Sequence, residues 1–419
     1  MINEQLSEKL RYLYGTEAAS LQAERYEKMI RRFREEFREE PHLFRAPGRT
    51  EIGGNHTDHQ NGQVLAAAID MDVAAAASAS EDSMIRIYSE GFGWIEVDLE
   101  GESVAEDAPR EGTAEALVYG MAKEMQTRGY KAGGFRAYVT SNVPEGAGLS
   151  SSAAFEMLIG EIENGLFNGG SVPPVEMAKM AQVVENVYYG KPSGLMDQMA
   201  SAMGGICRMD FGDPKAPEVE KLDIDFSEMG YCICITNTHG SHAEFTDDYA
   251  AVRIELAKAA EVFGRGTVSG LSVEDVIGHS TEIREAGGDR AFLRAMHIAA
   301  ENERVSAEAE ALKRKDMPAF LDLVRRSGNS SYKLLQNVHV DRMPQRQELA
   351  VALAISEAVL RKAGTDGACR VHGGGFAGTI QAFVPISLAK DYQAAMDGAV
   401  GEGSCVMIRV CPEGAMQLI

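Results

Sequence analysis

The sequence is poor in positive charge and contains no obvious targeting segment. Its 419 residues include 41 Lys and Arg against 63 Asp and Glu, a formal net charge of −22. A nucleic-acid-binding protein needs a basic face that displaces counterions from phosphates, so this balance argues against RNA or DNA as a partner. The amino-terminal stretch carries charges throughout and lacks the apolar core of a signal peptide. We therefore expect a cytoplasmic protein.

Patterns typical of membrane spans and zinc sites are also missing. The most alanine-rich stretch is interrupted by Asp70 and Asp72, so we expect no membrane-spanning segment there. The six cysteines form no CxxC pair and have no histidine at metal-ligand spacing, which argues against zinc. Cys232 and Cys234 lie in an apolar run, where buried free thiols are expected.

Composition and periodicity predict a globular protein of mixed helices and strands. The chain is 45% hydrophobic and 25% charged, enough apolar material for a sizeable core. A charged helix is predicted from Ser7 to about Glu40, and a strand over 135–140 precedes a glycine-rich turn and an amphipathic helix. A second helix is predicted to end at Gly190, and a short one to begin with Ser193 as its N-cap.

The turn PEGAGLSSSAA, residues 144–154, carries the strongest local signal. Its glycines let backbone approach a ligand, its hydroxyls lie in the following turn, and a helix starts there. Free N–H groups and the positive end of the helix dipole make such a turn an anion site. No Gly-Lys-Ser/Thr follows, so it is not a P-loop. The alternative, a tight turn with a serine N-cap, stays open on spacing alone.

A second glycine run, residues 373–378, is expected between two strands. Four glycines in six residues indicate a close backbone approach to a ligand or to another segment of the chain.

Two further groups of polar residues are candidates for chemistry. Arg49, Asn55, His56, Asp58 and His59 crowd one loop, where they could bind the hydroxyls of a polyol, cap their own turns, or bind a metal. Asp197 and, twelve residues earlier, Glu185 lie in apolar surroundings. Burying such a carboxylate is costly unless it is paired, so a general base, a metal ligand and a capped surface residue are all open interpretations.

Taken together, these motifs resemble the galactokinase family of the GHMP small-molecule kinases over nearly the whole chain. GRTEIGGNHTDHQNG is similar to the galactokinase signature, PEGAGLSSSAA to the phosphate-binding motif and HGGGFAGT to the third family motif, in the expected order. KPSGLMDQ resembles the segment with the catalytic aspartate, and RAMHIAAENERV a further family segment. The resemblance implies a two-lobed α+β fold, with a ribosomal-S5-like lobe over 1–225 and a GHMP lobe over 226–419. ATP and a hexose would bind between the lobes.

The same resemblance implies roles for individual residues. Asp197 would take the proton of the anomeric hydroxyl, and Arg49 would stabilise its carboxylate. Ser152 and Glu185 would hold Mg²⁺. The backbone that would cradle the ATP phosphates comprises Gly146, Ala147, Gly148, Leu149, Ser150, Ser151 and Ser152. The residues that would line the sugar site are Asn55, His56, Asp58, His59, Gly194 and Tyr249. We expect the protein to act as a monomer.

The chain departs from the family pattern at three positions. Asn55 stands where the family usually has a glutamate that accepts a hydrogen bond from the sugar 6-hydroxyl, and His59 stands where it has tyrosine. Ala377 replaces a common glycine. A neutral Asn55 and a protonated His59 would tolerate a carboxylate at C6, and plant galacturonate kinases share the histidine.

Three functional hypotheses follow. The first is an ATP-dependent galactose 1-kinase. The second is a 1-kinase for galacturonate or another C6- or C2-modified hexose. The third is a non-catalytic galactose and ATP sensor, and the intact Ser152-Ala153 pair argues against it.

Overall fold

A computed structural model describes residues 2–100, 110–144, 146–240, 245–364 and 366–419. Helices and strands are interspersed along the chain, and the strands in these ranges form two sheets. The α+β fold class expected from the sequence is confirmed.

The larger sheet contains eight strands of the described chain. In chain order they are β1 (His42–Gly53), β2 (Gln63–Ala79), β3 (Met84–Ser89), β4 (Gly93–Asp98), β5 (Phe135–Ser141), β6 (Ile206–Asp210), β7 (Glu218–Leu222) and β12 (Met416–Gln417). Along the sheet the order is β12-β1-β2-β5-β3-β4, and β6 and β7 continue from the other end of β2. Only the pairing of β3 with β5 is parallel among these described strands.

Helices cover both faces of this sheet. The alanine-rich stretch forms β2, and its alternate residues face opposite sides, as the two-residue period of a strand requires. Ala75 and Ala77 pack in the core beneath α4 (Ser151–Asn168), and Ala74 and Ala76 pack beneath the amino-terminal helices. The small side chains let helices approach closely from both sides. In the described part of the chain, no helix has the length and apolarity needed to cross a membrane.

The amino-terminal segment forms two helices where the sequence predicted one. They are α1 (Glu4–Tyr14) and α2 (Ala19–Phe37). Gly15 ends α1 with a φ of 80°, a left-handed conformation that glycine adopts without strain. The prediction of one continuous helix from Ser7 to about Glu40 was wrong at this position.

The smaller sheet is antiparallel. Its strands are β8 (Tyr231–Asn237), β9 (Ala368–His372), β10 (Thr379–Pro385) and β11 (Cys405–Ile408), in the order β11-β8-β10-β9. The helices that contact it are α11 (Met317–Ser330), α12 (Glu348–Lys362) and α13 (Ala389–Val400). The strands β9 and β10 flank the second glycine run, as predicted.

The remaining helices fall into two groups. Beside the larger sheet lie α3 (Ala114–Thr127), α5 (Pro174–Val183) and α6 (Met196–Met203). A separate group comprises α7 (Thr246–Glu261), α8 (Val273–Gly278), α9 (Ser280–Gly287) and α10 (Asp289–Lys313), and α11 (Met317–Ser330) packs between α10 and β9. The long α10 joins two cores, because Ile298 packs with α7 whereas Leu312 packs in the core of the larger sheet. Short 3-10 turns span Asp58–Gln60 and Ile386–Leu388, and π-helical turns span Val184–Tyr188 and Ser331–Leu335.

Three local predictions need correction. Ser193 is not an N-cap, because α6 begins at Met196 with Leu195 as the preceding residue. The helix expected to reach Gly190 changes to a π-helical turn after Val183. Cys232 is half-buried, although Cys234 is fully buried and both thiols are free.

The last strand returns to the first sheet. β12 pairs with β1, and Arg45 of β1 donates to the carbonyl oxygen of Glu413 at 3.3 Å.

The boundary placed between residues 225 and 226 stays a prediction, although the smaller sheet begins shortly after it, at Tyr231.

Candidate active site

Asp197 and Arg49 form an ion pair between α6 and the larger sheet. Arg49 lies on β1, and Asp197 lies in the first turn of α6. The guanidinium of Arg49 donates two hydrogen bonds of 2.6 Å to the carboxylate of Asp197, from Nε to Oδ1 and from Nη2 to Oδ2. Such a paired geometry fixes the orientation of a carboxylate as well as its charge.

The surroundings of Asp197 keep it ionised. Burial alone would raise the pKa of this carboxyl, but the charge and hydrogen bonds of Arg49 and a hydrogen bond from Ser150 Oγ outweigh burial and lower it. Of the three interpretations that the sequence left open for Asp197, the capped surface residue is therefore not supported.

The glycine-rich turn contacts this pair directly. The carbonyl oxygen of Gly148 accepts a hydrogen bond from Arg49, and the hydroxyl of Ser150 donates to Asp197. Ser150 precedes α4 in the left-handed conformation, with a φ of 56°, and makes no capping hydrogen bond. A serine held in this less favoured conformation, with its hydroxyl directed at the carboxylate, does not fit the alternative of a serine N-cap.

The geometry of the turn suits an anion. Gly146 and Gly148 both have positive φ, and a Cβ on Gly148 would lie 3.1 Å from Thr379 Oγ1. The turn leads into α4, an 18-residue helix whose first N–H groups have no partner within the helix. Ala147 and Leu149 are buried, and the residues that open α4, Ser151 and Ser152, are half-buried.

A cavity of about 630 Å³ opens beside the ion pair. Eight of the residues singled out from the sequence line it: Arg49, His56, Asp58, His59, Glu185, Gly194, Asp197 and Tyr249. Residues from β1, α6, α7 and the second glycine run meet here, so both sheets contribute to one site.

Asp58 and Gly194 are in close contact. A Cβ on Gly194 would lie 2.8 Å from Cγ of Asp58, so only glycine fits without displacing the carboxylate. Burial and the charge of Asp197 raise the pKa of Asp58. No side chain among the described residues forms a hydrogen bond with this carboxylate, which lines the cavity and can accept bonds from hydroxyl groups of a ligand.

His56 and His59 form a neutral hydrogen-bonded pair. His56 Nε2 lies 2.7 Å from the carbonyl oxygen of Gly374 and must donate to it, which leaves Nδ1 to accept from His59 Nε2 at 2.9 Å. Burial lowers the pKa of both imidazoles to about 3; the neighbouring His59 adds to the effect on His56, and Arg253 adds to it on His59. His59 therefore does not supply the positive charge that the sequence analysis considered.

Asn55 lies behind the cavity and does not line it. Its Nδ2 donates to the carbonyl oxygen of Gly373 at 2.6 Å and to Glu51 Oε1 at 3.2 Å. Its Oδ1 accepts from Asn337 at 2.8 Å and from Ser331 at 3.2 Å. These four bonds use the full capacity of a carboxamide. A sugar-binding role for Asn55 stays a prediction that this geometry does not favour.

Glu51 is a carboxylate of the cavity that the sequence analysis missed. It pairs with Arg370 of β9 at 2.9 Å, and burial raises its pKa to about 7 even though Arg370 opposes that shift. Because Glu51 lies two residues from Arg49 on one strand, the period of a strand places both on the same face. That spacing is a signal that could have identified it.

Glu185 and Ser152 offer oxygen atoms to a cation. Glu185 lines the cavity, with Lys191 at 2.9 Å from Oε1 and Gln198 at 2.7 Å from Oε2. Carboxylate and hydroxyl oxygens are the donor type that Mg²⁺ prefers, usually one or two from protein with the rest from phosphates and water. Within the described ranges, no group of three or more His, Cys, Asp or Glu could hold a metal by itself. The donor set therefore fits a cation that arrives bound to phosphates.

Two family profiles match the chain. One, described as GHMP kinases N terminal domain, matches residues 116–205, which contain the glycine-rich turn and Asp197. The other, described as Galactokinase galactose-binding signature, matches residues 31–79, which contain Arg49 and the histidine pair. The fold and the site define a GHMP kinase.

Individual relatives narrow this class. A galactokinase of Lacticaseibacillus casei (strain BL23) is 34% identical over 305 residues, which cover 71% of this chain and 76% of the relative. A galactokinase of Actinobacillus pleuropneumoniae serotype 5b (strain L20) is 32% identical over 348 residues, covering 81% and 84%. The crystal structure of Lactococcus lactis galactokinase complexed with galactose superimposes with a TM-score of 0.80 at 26% identity and covers 94% of this chain and 99% of that one. A mevalonate kinase, with a TM-score of 0.58 at 15% identity, shares the fold alone and covers 88% and 99%. The chain belongs to the galactokinase family.

Proposed function

We propose that this protein is an ATP-dependent galactose 1-kinase in which Asp197 accepts the proton of the anomeric hydroxyl. The observation that carries the proposal is the carboxylate of Asp197, held by Arg49 and Ser150 between the glycine-rich turn and the cavity. An anion site and a polyol-sized cavity that meet at an ionised carboxylate are what phosphoryl transfer to a sugar requires.

The reaction exchanges one P–O bond for another and moves one proton. The anomeric oxygen attacks the γ-phosphorus of ATP, the bond to the bridging oxygen of ADP breaks, and the hydroxyl proton passes to Asp197. In a largely dissociative transition state the hydroxyl keeps its proton until late, so a weakly basic carboxylate with a lowered pKa is sufficient. Positioning is then the main contribution of Asp197 and Arg49.

The glycine-rich turn supports the nucleotide side of the proposal. Backbone N–H groups over 146–152 and the amino terminus of α4 would bind the phosphates of ATP. Ser152 and Glu185 would hold Mg²⁺, which neutralises phosphate charge when it is bound with ATP. To bind Mg²⁺, Glu185 would give up its present contacts with Lys191 and Gln198.

The sugar side is supported by polar groups of the cavity wall. The carboxylate of Asp58, beside the backbone of Gly194, can accept further hydrogen bonds from a sugar, and Tyr249 lies 5.3 Å from His56, ring centre to ring centre. His56 and His59 use their nitrogen atoms on each other and on the chain, so their part is to shape the cavity. The cytoplasmic location and the monomeric state expected from the sequence remain part of this proposal.

Sugar-dependent release of ADP from ATP tests the proposal. Wild-type protein should release ADP with D-galactose, and Asp197→Asn should lower kcat at least about 100-fold while ATP binding persists. Asp322→Asn, which removes an exposed carboxylate of α11, is the matched control and should retain full activity. No sugar-dependent ADP from the wild type would favour the sensor hypothesis, and full turnover by Asp197→Asn would reject Asp197 as the proton acceptor.

A further inference from the structure

Glu51 is a carboxylate of the cavity wall to which the proposed reaction assigns no role. The other carboxylates that the described residues place in this wall each have one. Asp197 would accept the proton, Glu185 would hold the cation and Asp58 would contact the sugar. The question is what a further carboxylate does in the same cavity.

The two oxygen atoms of Glu51 have different surroundings. Oε1 accepts hydrogen bonds from Arg370 Nη2 at 2.9 Å and from Asn55 Nδ2 at 3.2 Å. Oε2 has no hydrogen-bond donor among the residues that the structure describes, yet it is not among the fully buried oxygen atoms that lack a partner. The side chain as a whole is only 4% exposed, and it lines the cavity. Oε1 therefore anchors the carboxylate, and Oε2 is the atom that reaches the cavity.

The anchor fixes the direction of Oε2. Arg370 lies on β9 of the smaller sheet, is 1% exposed, and also donates from Nη2 to the backbone carbonyl oxygen of Glu51 at 2.9 Å. If the carboxylate turned away from the cavity, it would leave a buried guanidinium and a buried amide without their acceptor, which is costly. Glu51 is therefore held in position before any ligand binds.

Glu51 lies close to the Arg49–Asp197 pair. Arg49 and Glu51 face the same side of β1, and the register from one to the other is unbroken, with Ala68 and Ala66 as their partners on β2. Two residues of a strand span about 6.6 Å. Burial alone would lower the pKa of Arg49, but the charge of Asp197 and, more weakly, that of Glu51 raise it. A ligand in contact with Asp197 is therefore in the same compartment as Glu51.

The chemistry of Oε2 suits a hydroxyl group. Within the described ranges, no three carboxylates of the site converge closely enough to hold a metal ion. Burial raises the pKa of Glu51 to about 7 even though Arg370 opposes the shift, so near neutral pH the carboxyl group exists in both protonation states. The ionised form accepts a hydrogen bond and the protonated form can donate one. A hydroxyl group complements both forms, because it can donate and accept.

We propose that Glu51 is a specificity-determining residue whose Oε2 forms a hydrogen bond with one of the non-reacting hydroxyl groups of the sugar. This inference rests on the proposed kinase function. Arg370 and Asn55 are then positioning residues, since they act through Glu51. A sugar that lacks the partner hydroxyl would leave Oε2 unpaired in a buried site, so the site discriminates against it.

A comparison of five sugars in the wild type and in Glu51→Gln tests the inference. We would measure kcat/KM by ADP release for D-galactose and for its 2-, 3-, 4- and 6-deoxy analogues. The wild type should use the analogue without the partner hydroxyl about 10- to 100-fold less well than D-galactose. Glu51→Gln should lower kcat/KM for D-galactose about 10-fold but should not lower it for that one analogue, because the interaction is already absent. With the other three analogues the variant should lose as much as with D-galactose.

Two further variants separate sugar binding from folding. Glu51→Asp keeps a negative charge opposite Arg370 but shortens the side chain by one methylene group, and it should show the same dependence on a single hydroxyl. It provides the test if Glu51→Gln does not fold, which thermal unfolding of each variant would show. Glu228→Gln removes a carboxylate that is 68% exposed, and it should leave all five values of kcat/KM unchanged.

Each outcome decides between the two proposals. Equal losses with all five sugars in the folded Glu51 variants would show that Glu51 is only a structural partner of Arg370, which would overturn the inference and leave the kinase function standing. Wild-type kcat/KM with D-galactose in these variants would overturn it as well. If the wild type turns over none of the sugars, the kinase function itself is rejected, and the inference with it.

Discussion

The contact between Gly194 and Asp58 makes a glycine-to-alanine substitution a sensitive test of the sugar site. An added Cβ would lie 2.8 Å from Cγ and 3.3 Å from Cβ of Asp58. Carbon atoms pack favourably at about 3.5 Å, so Cγ must shift by roughly 0.7 Å. Rotation of the Asp58 side chain can move Cγ and the carboxylate away from the new Cβ, but it takes the carboxylate out of its present position.

We expect Gly194→Ala to damage sugar use more than nucleotide binding. A displacement of this size at a positioning carboxylate lowers kcat/KM for the sugar by about 10- to 100-fold, or about 1.4–2.7 kcal/mol. The loss should appear mainly as a raised KM for galactose, because Asp58 would contact the sugar in the ground state as well as in the transition state. ADP release at varied galactose and fixed ATP measures it.

The matched control is Gly278→Ala, where a new Cβ would meet nothing within 4 Å. This control should keep the wild-type kinetics. Thermal unfolding of both variants checks that any loss of activity is not a loss of fold. Wild-type KM and kcat in Gly194→Ala would refute the reasoning, since they would show that the position of Asp58 does not matter to the sugar.

Two other predictions concern charged groups. Arg49→Lys replaces two bonds to Asp197 with one, which weakens the effect that lowers the carboxyl pKa, so the acidic limb of the kcat–pH profile should move to higher pH. If the acidic limb of the kcat–pH profile of Arg49→Lys stays where it is in the wild type, Arg49 does not determine the pKa of Asp197. Burial raises the pKa of Glu163 from 4.5 to about 8, so the folded state keeps a proton that the unfolded chain releases, and stability falls as pH rises between those values. In Glu163→Gln, the decrease in the free energy of unfolding between pH 5 and pH 8 should be smaller than in the wild type by up to about 4 kcal/mol. Urea unfolding at the two pH values measures this difference. If the free energy of unfolding changes equally with pH in Glu163→Gln and in the wild type, the assigned role of Glu163 is wrong.

Local sequence features predicted much of the site. The glycine-rich turn was predicted from its backbone requirements, and Gly146 and Gly148 do adopt positive φ. Asp197 and Arg49 were paired only through the family resemblance, because 148 residues separate them in the chain. No periodicity in either segment indicates that they meet.

The predictions that were wrong or incomplete concern long-range partners. The positive charge considered for His59 is not supported, because desolvation and the nearby Arg253 lower its pKa and its Nε2 is hydrogen-bonded to His56. The sugar-binding role expected of Asn55 from its polar loop and from the family resemblance stays a prediction, and its partners come from β1, the second glycine run and the turn after α11.

The return of β12 to β1 has a consequence for how the chain acquires its structure during synthesis. Arg45 of β1 is the strand partner of Met416 of β12, although nearly the whole chain separates them, and Arg49 follows on the same strand β1. A ribosome that has released the first half of the chain has not yet supplied the neighbour of β1. That edge of the larger sheet therefore stays unpaired until β12, which follows the strands of the smaller sheet in the chain, has been synthesised.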